Sequence, residues 1–170
     1  MHALVMLLLA ALQVHRHAYG TPGADGWYGA QSTRGGFEVL LPDVYDDSTV
    51  TVPAIEGVME AIVTDNLSCH TKNGATFTAM RTVGGTLVAK TEQRTMQNGV
   101  VTLTREKIVD GKLYRMIVTY PVANDPVVAP MAAKFFDSLK IAPGTSPSTA
   151  AATVPRQARS APAPPANQQR

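Results

Sequence analysis

The 170-residue chain contains a single cysteine, Cys69, so no disulfide within the chain can staple its fold. Stability must come from buried apolar surface instead, at roughly 25 cal/mol per Å². Histidine is scarce as well. Of the four, His2, His15, His17 and His70, only His70 stands beyond residue 20. Zinc centres and Ser–His–acid triads are built on imidazoles, so neither is expected in a body that holds one. Both ends of the chain lack acid, because all thirteen Asp and Glu lie between Asp25 and Asp137. The body has no Lys/Arg cluster, which argues against a nucleic-acid partner. Gly35-Gly36 and Gly84-Gly85 precede neither Lys-Ser/Thr nor a helix start, so they read as turn glycines and not as phosphate loops.

What is present divides into three parts. Residues 1–20 read as a signal peptide. The apolar run Ala3 to Leu12 has the length of an h-region and about half that of a membrane-spanning helix. Gln13, His15, Arg16 and His17 follow, and Ala18-Tyr19-Gly20 offers small residues flanking a cleavage point. The stretch before the run has no Lys or Arg, which leaves an uncleaved anchor or an N-terminal core helix as alternatives. Residues 21–142 read as one α+β domain; eleven Lys and Arg against thirteen acids give it a charge of −2. Residues 143–170 hold six of the twelve prolines and three arginines, with no aromatic residue and no acid. Such a segment cannot bury enough surface to offset its ordering entropy, so a disordered basic tail is expected. Its charge would give at most a weak, salt-sensitive contact with an anionic surface. Together these parts place the protein in the periplasm or outside the cell.

Within the body, Trp27–Ser32 and Phe37–Leu41 read as extended segments joined around Arg34-Gly35-Gly36. Asp43–Ser48 reads as a polar turn, Thr49–Val52 as β-prone, and Val58–Thr64 as a strand ended by a turn at Asp65-Asn66. Asn73-Gly74 predicts a two-residue hairpin turn, and Asp110-Gly111 predicts another between Val100–Val109 and Lys112–Tyr120. The second turn sets Glu106 opposite Arg115 and puts Val101, Leu103, Tyr114, Met116, Val118 and Tyr120 on one core-facing side. Asn124-Asp125-Pro126 predicts a helix start, with Asp125 as the cap and Pro126 as the first helical residue. Val128, Met131, Ala132, Phe135, Phe136 and Leu139 trace its apolar face. Gly84–Asn98 carries no clear period.

Three stretches carry a family resemblance: Gly36-Phe37-Glu38-Val39-Leu40-Leu41-Pro42, then Lys112-Leu113-Tyr114-Arg115-Met116 with Pro121, then Ala133 to Ile141 (AKFFDSLKI). In order and spacing they resemble exported bacterial proteins of the PsbP-like superfamily, over about Trp27 to Ala142. The resemblance implies an antiparallel sheet sandwiched by helices and a non-catalytic role in binding or assembly. The chain departs from that pattern at Gly84–Asn98, too short for the long helix such proteins carry there, so a reduced sandwich is expected. The matching residues are packing residues, and the resemblance carries over no catalytic, cofactor-binding or metal residue.

Candidate chemistry in the residues themselves is thin. Cys69 and His70 are adjacent, but on a strand adjacent side chains point to opposite faces, so His70 cannot serve as the base for this thiol. A buried or idle thiol is the simpler reading, with pairing between chains a further possibility. His15 and His17 could hold a metal ion only weakly. Asp43, Asp46 and Asp47 resemble a fragment of a calcium loop that lacks its glycine and closing glutamate. Ser32, Ser48 and Ser68 stand in no nucleophile context, and Asn66-Leu67-Ser68 matches a glycosylation sequon. Trp27, Tyr28 and Tyr45 could form an aromatic patch, although a core role suits them better. The expectation is a non-enzymatic exported binding or accessory module without a cofactor, whose partner is another envelope or secreted protein. The alternatives are an enzyme using Cys69 and a membrane-tethered structural protein.

Overall fold

Turn chemistry sets most of the topology. A computed structural model describes residues 12–18, 20–89 and 91–142. In chain order its elements are β1 (Leu12–Ala18), β2 (Tyr28–Gln31), β3 (Phe37–Leu41), β4 (Tyr45–Val52), β5 (Ile62–His70) and β6 (Thr76–Val83). There follow β7 (Gln93–Gln97), β8 (Val100–Val109), β9 (Lys112–Pro121), α1 (Asp125–Asp137) and β10 (Lys140–Ile141). Asp110 and Gly111 both adopt positive φ, 50° and 66°, as a type I′ turn requires, and Val109 pairs with Lys112 as the sequence predicts. Asn98 and Gly99 do the same between β7 and β8, at 52° and 75°. Between β5 and β6 the loop is longer than two residues. His70 pairs with Thr76, the Thr71 N–H donates to the Ala75 carbonyl, and Gly74 takes the left-handed position at φ 76°.

All pairing is antiparallel, and the strands form two sheets, a large one in the order β1-β4-β5-β6-β9-β8-β7 and a small one in the order β10-β3-β2. The meander β7-β8-β9 returns to lie beside β6, which is the Greek-key arrangement. The segment that the sequence left unassigned, Gly84–Asn98, thus supplies the crossing connection and the edge strand β7. Gly84 is required where that connection leaves β6. Its φ is +90°, and a Cβ there would stand 2.1 Å from the Ala61 carbonyl oxygen.

One face of the large sheet packs against α1 and the small sheet, and the core lies between them. Phe77, Val101, Met116, Val118 and Tyr120 on that face meet Phe37, Val39 and Leu41 of β3, and Val128, Ala132, Phe135 and Phe136 of α1. Aromatic rings meet edge to face, with centroids 5.5 Å apart for Phe77–Phe135 and 6.1 Å apart for Phe37–Tyr114. The helical face read from the sequence is the packed one, with Met131 and Leu139 partly buried at its margin. The strand-opening and helix-closing motifs meet directly. Ile141 pairs with Phe37, Lys140 pairs with Glu38, and the Leu40 N–H donates to Ser138 Oγ at 2.9 Å.

Several expectations are overturned. Asp65-Asn66 is not a turn but the middle of β5, and the strand runs from Ile62 to His70 instead of from Val58 to Thr64. Asp65 is fully buried and receives the Arg81 guanidinium at 3.1 and 2.6 Å and the Thr49 hydroxyl at 2.8 Å, so two polar residues that favour turns sit in a ladder. Asp46, Asp47 and Ser48 belong to β4, not to a polar turn. Asp125 does not cap α1. Asn124 holds the cap position but gives its side chain to the Asn73 carbonyl and not to the helix, Asp125 is already helical, and Pro126 follows it. The Asp125 carboxylate is drawn instead to Tyr120 and Arg94. The leader expectation covers residues 1–20; of these, residues 12–18 form β1, beside β4, and residues 1–11 and 19 lie outside the described residues. The expected tail, residues 143–170, also lies outside them.

Candidate functional site

Strand alternation in the large sheet puts Cys69 on the packed side and His70 on the other. Cys69 is 2% exposed within the core, and burial pushes its thiol up to about 12, so it stays protonated at neutral pH. His70, the next residue, is exposed on the opposite face, where its Nδ1 meets the Thr76 hydroxyl at 2.9 Å. The thiol and the imidazole that the sequence sets side by side are thus separated by the sheet itself. Ser32 is buried and its hydroxyl accepts the Gly35 N–H at 2.9 Å, closing the β2–β3 turn. Asp47 accepts both the backbone N–H of Thr33, at 2.9 Å, and its hydroxyl, which ties that turn to β4. Among the described residues no group of three or more His, Cys, Asp or Glu is placed to hold a metal ion.

Charged side chains fasten the packed layers together. Tyr120 donates its hydroxyl to Asp125 Oδ1 at 2.6 Å, and Arg94 of β7 reaches the same carboxylate oxygen at 3.1 Å. The Tyr120 hydroxyl beside Asp125, and Arg94 after it, hold that carboxyl below its usual range. Arg105 spans Glu92 and Asp137 at 3.1 and 2.8 Å and lies 4.9 Å from the centre of the Phe136 ring. Trp27 packs edge to face on Phe77 and carries Lys134 over its ring at 4.4 Å, while Asp25 takes the same ammonium at 2.7 Å. Trp27 and Tyr45 therefore pack against the core, as their core reading requires, and do not form an exposed patch with Tyr28. The sequence offered no signal for the Arg94, Arg105 and Lys134 clamps to Asp125, Asp137 and Asp25, which join residues 31, 32 and 109 positions apart.

The opposite face of the large sheet is covered by no described helix or strand. Its side chains run in rows set by the register. Thr95, Thr102, Thr119 and Thr76 lead to His70 across five strands. In the next row Gln93, Thr104, Ile117, Thr78 and Ser68 stand side by side. Beyond it Glu106 pairs ionically with Arg115, beside Met80 and Asn66. Thr64 and Thr82 bring their hydroxyls within 3.2 Å. Asn66 Oδ1 is buried without a hydrogen-bond partner, and its amide nitrogen stands 3.4 Å from Ser48 Oγ. From β4 to β7, five inter-strand spacings give a width of about 24 Å and strands of eight residues a height of about 26 Å, or on the order of 620 Å². That lies at the lower end of what each partner contributes to an ordinary stable interface, roughly 800 Å². Threonine dominates here because a β-branched residue suits a strand while its hydroxyl keeps the face wettable. This surface can make hydrogen bonds and flat van der Waals contact.

At the far end of the same sheet the loop Pro53–Ala61 closes on itself through the Ile55–Met59 bridge and exposes Val58. It borders an open groove of about 750 Å³ shared with Gly85 and Thr86. A smaller cleft of about 290 Å³ lies along β2 and β3, beside Ser138 and Lys140. Glu56 and Glu60 stand in the lining of the first, and Glu38 in that of the second. No helix among the described residues is long and apolar enough to cross a membrane. No family model, curated protein or solved structure matches this chain.

Proposed function

We propose that this protein is an exported, non-enzymatic binding module that docks another envelope or secreted protein on the open face of its large sheet. The observation that carries this reading is the face itself. It has the area of an interface, is rich in threonine, and is left bare by every described element. The enclosed, protonated Cys69 favours the same reading, because a thiol enzyme needs an accessible thiolate. Membership of the PsbP-like superfamily belongs to this proposal. It is supported by the direct hydrogen bonding between the GFEVLLP strand and the FFDSLKI segment, which makes the two motifs one packing unit. Export to the periplasm or beyond the cell rests on the leader.

A photo-crosslinking residue placed at Thr78, in the centre of the open face, tests the reading in cells. The expected result is a discrete adduct with one protein of the envelope or the medium, lost when Thr119 is replaced by Arg. A fold-preserving Thr119→Arg variant that keeps the adduct, or no adduct from any position on this face, would remove the proposed binding role.

A further inference from the structure

The margin of the large sheet is made by residues that the sequence reads as part of the leader. β1 pairs with β4 over seven positions, from Leu12 opposite Thr51 to Ala18 opposite Tyr45. Cleavage around Ala18-Tyr19-Gly20 would remove β1 whole and make β4 the edge. Tyr45–Val52 would then offer a row of unpaired backbone N–H and C=O groups, which natural sheets rarely leave open. The β-branched run Thr49–Val52 makes that edge a good template for another strand.

The register defines what fits there. Leu12 and Val14 stand opposite Thr51 and Thr49, and Arg16 stands opposite Asp47. Asp47 is 7% exposed, and its carboxylate is already fixed by the backbone N–H and hydroxyl of Thr33. A negative charge held in place at a sheet margin favours one cation on the incoming strand. A second copy pairing β4 with itself about Ser48 and Thr49 would set Asp47 against Val50 and bring no cation. Charge therefore selects a basic strand from a different protein.

We propose that removal of the leader converts the β4 edge into a receptor for an extended segment of another exported protein, apolar at alternate positions and carrying Arg or Lys opposite Asp47. This deepens the binding role proposed above and rests on the leader reading. The protein is expressed with its own N-terminus and recovered from the exported fraction, and its first residue is read by mass spectrometry. The processed chain is then titrated with a labelled peptide of residues 12–18, LQVHRHA. Saturable single-site binding is expected, at least tenfold weaker for an Arg16→Glu peptide or an Asp47→Asn chain. The unprocessed 170-residue chain, whose edge is filled, should not bind.

Equal binding to processed and unprocessed chains, or indifference to Arg16 and Asp47, overturns the proposal. A processed chain that dimerises and is not dissociated by the peptide assigns the edge to a second copy and overturns it too. So does an intact Met1, or a processed chain without sheet circular dichroism, because β1 is then a permanent strand. The titration needs no cellular partner, so its failure leaves the crosslinking result at Thr78 standing, and failure there leaves the titration standing.

Discussion

The two faces of the large sheet are built from the same strands, yet they differ in almost every physical respect. On the packed face Phe77, Val101, Val118 and Tyr120 are at most 1% exposed and meet α1 and β3. On the other, Thr76, Thr78, Thr102 and Thr119 stand on the same strands, shifted by one residue, and no described helix or second sheet packs over them. A period of two is enough to give one strand a core side and a wettable side. Stability should therefore depend on one face, and recognition on the other.

Four changes would break or sharpen that contrast, and the largest effect is expected in the core. Phe77→Ala should cost about 3–5 kcal/mol, because it empties a site shared with Trp27 and Phe135. Ile117→Ala on the open face should cost well under half as much, and urea unfolding of the two variants compares them. Similar losses would mean that the open face is covered in the protein as it works.

Next comes the buried ion pair. Asp65→Asn leaves the Arg81 guanidinium facing a neutral amide with its side chain 12% exposed, at about 3 kcal/mol. Replacing both partners by apolar residues, Asp65→Leu with Arg81→Met, should recover most of that loss in a double-mutant cycle.

The third test uses pH. The Cys69 thiol has its ordinary value of 9.0 when unfolded and about 12 when folded. Between those values the unfolded chain has released a proton that the folded chain retains, so stability falls as pH rises. The thiol's share of the slope should approach about 1.4 kcal/mol per pH unit and should be absent in Cys69→Ala, which keeps the fall that the raised Tyr114 and Tyr120 phenols add at higher pH. Below pH 9 the thiol adds no pH dependence. Alkylation of Cys69 should track global unfolding, and rapid labelling of the native protein would contradict its burial.

The smallest effect belongs to the open face. Thr78→Lys should change stability by no more than about 0.5 kcal/mol while weakening partner binding. A large destabilisation with binding intact would reverse the roles assigned to the two faces.

Much of the fold was legible wherever a local rule was decisive. Asp110-Gly111 fixed the β8–β9 register because only residues tolerant of positive φ satisfy a type I′ turn, and Glu106 opposite Arg115 followed. The apolar spacing of Val128, Ala132, Phe135 and Phe136 gave the packed side of α1. The opposed faces of Cys69 and His70 followed from strand alternation alone. Asn98-Gly99 carried the same turn signal and marks β7, but QRTMQ is wholly exposed and has no apolar period to announce a strand. Asp65-Asn66 misled for the opposite reason. Turn propensity is a local preference, and a buried guanidinium from β6 outweighs it.

By itself the sequence determined the β8–β9 hairpin turn, the apolar stripe of the helix and the scarcity of histidine and cysteine. Each of these depends on neighbours within a few residues. The tertiary structure alone decided that Asp65 and Arg81 share a pocket, that Arg94 and Arg105 clamp the helix, and that no described element covers one face of the large sheet. Those outcomes join residues from distant parts of the chain or depend on how whole layers stack, and no local pattern encodes which surfaces will be brought together.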